Sequence, residues 1–103
     1  MDLLIRIKRL VIRGAVRFTE KARLELEADG LEPEDALEAI LSAPAIRKSL
    51  RSLSRHRAAP REALYVIVGV SLSGIPIYTK GVLRKEGGRE VLYILVSSKR
   101  SIP

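Results

Sequence analysis

The sequence predicts an α+β fold in which N-terminal helices pack on one face of a small antiparallel sheet. Three observations carry this reading. Apolar residues recur at helical spacing up to about residue 43 and in strand-like runs after Pro44. Helix start and stop residues bracket the early segments, and a Gly-Gly turn signal separates the last two runs. The order, helices first and strands afterwards, belongs to α+β chains rather than to alternating βα units.

Leu3, Ile7, Leu10 and Val11 recur at helical spacing with cations between them, so 3–13 reads as an amphipathic helix with a basic outer face, stopped by Gly14. Thr19 suits the N-cap of a second helix, whose apolar material is Ala22, Leu24, Leu26 and Ala28 and whose end is Gly30. Pro33 fits a first helical turn, with Glu34 and Asp35 favoured beside it. Ala36, Leu37, Ala39, Ile40 and Leu41 give that third helix its apolar face, and Pro44 closes it. From Ser49 to Ser54 polar residues interrupt Leu50 and Leu53, which suits a strand or an extended edge. Ala63–Val70, Ile75–Leu83 and Val91–Val96 are β-rich runs, the last two joined by Glu86-Gly87-Gly88-Arg89. Short turns favour an antiparallel meander.

The chain of 103 residues is the size of one domain, spanning 1–103, with residues 1–43 mostly helical and 44–103 mostly strand. With four aromatic residues and no Trp, the core must be built from Leu, Ile, Val and Ala. The absence of Cys excludes disulfides and thiolate metal sites, and the single histidine, His56, argues against a histidine-built zinc site. No cofactor is expected. Cysteine-free composition suits a reducing cytosol, so the expected location is cytoplasmic. No apolar run approaches the roughly 20 residues that cross a bilayer, and Arg6, Lys8, Arg9 and Arg13 interrupt the N-terminal stretch, which reads as mature protein with no membrane partner.

A net charge of +7 points to nucleic acid, an acidic membrane surface or an acidic protein. Its distribution is informative. Eight acids and two bases fall in 18–43, the solvated side of two helices, whereas 44–61 carries six cations and no acid. The run from Arg47 to Arg61 is the strongest phosphate-binding signal in the chain, and Arg47, Arg51, Arg55 and Arg57, with His56 among them, are its candidate contacts.

In order along the chain stand Ile7-Lys8-Arg9-Leu10-Val11, then Gly14-Ala15-Val16-Arg17 and Thr19, a Gly30-Leu31 step, Lys48-Ser49, His56, Tyr65, Tyr78-Thr79-Lys80 and Val96-Ser97-Ser98-Lys99. This succession resembles the MqsR family of type II toxin–antitoxin endoribonucleases, and it covers nearly the whole chain. The resemblance implies a RelE-like fold, mRNA as substrate cut without the ribosome, and a cognate antitoxin encoded by an adjacent gene. It also implies that Lys48, Tyr78 and Lys99 are catalytic. The family's functional glutamine falls at Glu62, a departure, because an ionised carboxylate cannot donate a hydrogen bond and repels phosphate.

RNA cleavage needs a proton removed from the 2′-OH, charge neutralised on the phosphorane, and a proton given to the leaving oxygen. One histidine cannot form a paired-histidine ribonuclease site. Lysine and arginine supply the charge, often the largest contribution, and a 2′-OH nucleophile restricts such an enzyme to RNA. Lys80 shares a strand face with Tyr78 and reads as a phosphate contact, as does Arg100 near the last strand's end. Plain roles stand beside these: solvated edge for Lys48, packing for Tyr78, solubility for Lys99, edge protection for Lys80. The alternative function is a non-catalytic RNA- or ribosome-binding module using the same basic surface. A third is a protein whose cations grip an acidic partner.

Overall fold

In the computed structural model, residues 2–51 and 62–102 are described. Each helix opens on a residue that can take its free amides. Asp2 accepts from the Leu4 N–H at the start of α1 (Leu3–Ile12). The Thr19 hydroxyl accepts from Ala22 N–H, 3.2 Å, at the start of α2 (Glu20–Ala28). In α3 (Pro33–Ser42) Pro33 takes the first helical position and the Asp35 carboxylate reaches back to Glu32 N–H at 2.8 Å. The strands are β1 (Val16–Phe18), β2 (Lys48–Arg51), β3 (Ala63–Val70), β4 (Pro76–Glu86) and β5 (Arg89–Arg100).

They form one sheet in the order β1-β5-β4-β3-β2. The sheet is mixed rather than antiparallel: β2, β3, β4 and β5 form the expected meander, but β1 runs parallel to β5. Gly14, at φ +76°, turns the chain back after α1, and Ala15 C=O then accepts from Tyr93 N–H at 3.0 Å. Three residues are too few to carry a periodic signal, and their partner lies some 77 positions away in sequence.

All three helices lie on one face. Leu4, Ile7, Leu10 and Val11 of α1 pack with Ile40, Ala43, Ile67, Tyr93 and Leu95. A second cluster joins Leu26, Leu31, Ala36 and Ala39 to Ile77. Burial of each Leu, Ile or Val side chain in these clusters contributes about 1.5–3 kcal/mol. The helices sit lower than their apolar residues alone suggest. A Cβ added at Gly69 of β3 would lie 1.8 Å from the Ala39 carbonyl oxygen, so α3 rests almost on the strand backbone. Leu24 and Leu41, expected inside, are exposed, because the sides of α2 and α3 that meet the sheet are carried by Ala22 and Leu26 and by Ala36, Ala39 and Ile40.

Where β1 and β2 run out, the helices close the strand edges with side chains. Glu25 accepts from the Ser97 hydroxyl (2.8 Å) and from Ser98 N–H (3.2 Å), and one turn later Asp29 accepts from Arg100 N–H (2.8 Å). On α3 the Ser42 hydroxyl accepts from Val70 N–H at 3.0 Å, and Glu38 accepts from Leu72 N–H at 2.9 Å. In each helix an i, i+4 pair does what a neighbouring strand would do.

Candidate functional site

With the helices on one face, every second residue of each strand points to the other. Register then decides which candidates meet. Lys48 on β2 pairs with Val66, Val66 with Lys80, and Lys80 with Ser97, so two lysines flank a buried valine in one row across the sheet. In the next row Val68 pairs with Tyr78 and Tyr78 with Lys99. The Lys99 ammonium stands over the Tyr78 ring, 5.6 Å from its centroid. Lys48, Tyr78, Lys80 and Lys99 therefore share the face opposite the helices. Lys48 and Lys80 are two strand spacings apart, roughly 10 Å, and Tyr78 and Lys80 about 7 Å. Lys48 and Lys99 are exposed, and Tyr78 and Lys80 half-buried.

Glu62 lies elsewhere on the same face. It stands immediately before β3, opposite Arg84 of β4 if the antiparallel register is continued, and the two side chains form an ion pair. Arg84 is four residues from Lys80, about 13 Å along the strand. Strand alternation also puts Arg17 of β1, paired with Ile94, on this face. Arg84 and Arg17 were not among the candidates read from sequence. The i, i+2 spacing of Tyr78, Lys80, Val82 and Arg84 is the signal that marks Arg84, whereas Arg17 could be found only by knowing the β1–β5 pairing.

Other candidates are dispersed. Arg51 pairs with Ala63 and alternates to the helix side, away from Lys48. Arg100 pairs with Ile77, also on the helix side, beside Asp29. Arg47 precedes β2, its side chain exposed and its N–H donating to Val66 C=O at 2.8 Å. Arg55, His56 and Arg57 lie outside the described residues.

Exposed acids, Glu20, Glu27, Glu32 and Glu34, gather on α2 and α3, whereas Lys48, Lys80 and Lys99 lie on the opposite face; α1 adds exposed Arg9 to the helix layer. Among the described residues no group of three His, Cys, Asp or Glu is placed to hold a metal ion, and no helix is long and apolar enough to cross a membrane. Tyr93, unlike Tyr78, is a core residue. Burial pushes its phenol far above the ordinary tyrosine range, with Tyr65 adding to the effect, and its ring fills the space left by Gly81.

Comparison of the chain with protein-family models, with curated proteins and with solved structures returns no match.

Proposed function

We propose that the chain is an endoribonuclease acting on single-stranded RNA by metal-independent acid–base chemistry, the toxin of a toxin–antitoxin pair. The observation that carries the reading is the meeting of Lys48, Tyr78, Lys80 and Lys99, from three different strands, on one face. Three ammonium groups around one phenol form an arrangement suited to a phosphate. Lys48 and Lys80 flank the scissile phosphate and stabilise the charge that grows on its oxygens during in-line attack. Tyr78 exchanges a proton with the attacking or leaving oxygen, and Lys99, over the ring, holds the phenol in place. The catalytic roles given to Lys48, Tyr78 and Lys99 are those that the sequence resemblance implies.

A second reading, docking on RNA without cleavage, is favoured by one observation: among the described residues the patch holds cations and one phenol, but neither carboxylate nor imidazole. Purified protein incubated with labelled single-stranded RNA in EDTA separates the two. Cleavage of RNA with DNA left intact supports the enzyme, binding without cleavage supports docking, and cleavage lost entirely in EDTA removes the metal-independent mechanism. The antitoxin proposal is tested by co-expression with the adjacent gene, which should relieve growth inhibition and yield a copurifying complex.

A further inference from the structure

β4 presents Tyr78, Lys80, Val82 and Arg84 along one face, so cations recur down a single strand beneath any chain that crosses it. A backbone anchored at Lys80 and Lys99 and running extended along β4 reaches Arg84 about 13 Å further on, about two nucleotides away. Arg84 is not offered to it freely. The Glu62 carboxylate, whose side chain is 8 % exposed, pairs with the guanidinium, which is itself 29 % exposed. The carboxylate thus offsets the guanidinium charge at the position where the track continues along β4.

We infer that Arg84 is a further phosphate-binding position of the RNA face and that Glu62 holds it in check, setting the affinity for single-stranded RNA below what the cations of β4 could give. The inference rests on the RNA-binding part of the function proposed above. Distance decides how Glu62 acts. It lies about 13 Å from the Lys80 row but in direct contact with the Arg84 guanidinium, so Arg84 is where its charge acts most strongly. Glutamine in its place keeps the shape and a hydrogen-bonding oxygen but leaves the guanidinium charge for a phosphate.

The test is the salt dependence of binding of a fluorescent oligouridylate by the full chain, for wild type, Glu62→Gln, the double variant Glu62→Gln/Arg84→Gln, and Glu86→Gln. The last removes one negative charge at the exposed hairpin tip and controls for net charge. One added phosphate contact steepens the slope of log K against log salt by about 0.7, which amounts to about fourfold tighter binding at 0.15 M salt. Expected is that gain in Glu62→Gln, none in Glu86→Gln, and its loss in the double variant. Wild type that binds RNA while Glu62→Gln binds no better, or a gain that survives Arg84→Gln, overturns the role of the pair and leaves the RNA face standing. No binding by wild type or by Glu62→Gln removes the RNA face itself. Melting curves on the same samples identify a misfolded variant, and Glu62→Ala, which frees Arg84 without an amide, then takes its place with the same expected gain.

Discussion

Lys48, Tyr78 and Lys99 are surface or half-buried polar groups whose loss leaves no cavity, so their effects on chemistry and on stability should separate. Lys48→Ala, Tyr78→Phe and Lys99→Ala are each expected to lower the single-turnover cleavage rate roughly 100-fold, the usual cost of one transition-state charge or proton donor. Unfolding free energies should move by about 0.5 kcal/mol or less. A variant with a wild-type rate would remove that residue from the mechanism. Tyr93 behaves in the opposite way. Its hydroxyl is buried with no hydrogen-bond partner among the described residues. Tyr93→Phe should therefore leave stability at neutral pH unchanged or raise it. The native phenol keeps its proton to higher pH than the unfolded one, which ionises near pH 10. The folded state thus binds more protons above that point, and its stability falls as pH rises, by at most roughly 1.4 kcal/mol per pH unit. Denaturant melts from pH 9 upward should show that decline in wild type and a shallower one in Tyr93→Phe.

At the level of elements, helix starts, the Gly-Gly hairpin and β3 were legible in the sequence because each rests on local chemistry: an N-capping hydroxyl, a proline, a positive-φ glycine, a run of β-branched residues. What was not legible depends on non-local placement. β1 has no pattern of its own and exists because β5 offers it an edge. Leu24 and Leu41 fit an apolar helical face by count, yet close seating of the helices assigns the inner positions to alanines. The candidate site divides in the same way. Residue types near Lys48, Tyr78 and Lys99 could be read one at a time, but their meeting on one face, and the separation of Arg51 and Arg100 from them, follow from register. Gly69 gives the sharpest test of helix seating. Gly69→Ala drives a methyl group into the Ala39 carbonyl and should cost about 1–3 kcal/mol or more in chemical denaturation, through displacement of α3. An unaffected melt would mean that α3 sits further from the sheet.

Across the whole molecule, exposed acids gather on α2 and α3 while α1 and the sheet face opposite the helices carry cations. Each phosphate of a polyanion that engages the sheet face displaces counterions. Lys80→Gln should reduce the salt slope of RNA binding by about 0.7, whereas Glu34→Gln on α3 should leave it unchanged. Effects of the two that are equal in size and opposite in sign would mean that net charge, not the face, governs binding. The parallel pairing of β1 with β5 has a temporal meaning as well. β5 is the last of the eight elements to be synthesised, yet it lies between β1 and β4, supplies Tyr93 and Leu95 to the core and carries Lys99. A nascent chain still lacking those twelve residues has no partner for β1, no strand for Glu25 and Asp29 to close, and an unfinished cationic face. Completion of this sheet therefore waits until residues 89–100 have left the ribosome.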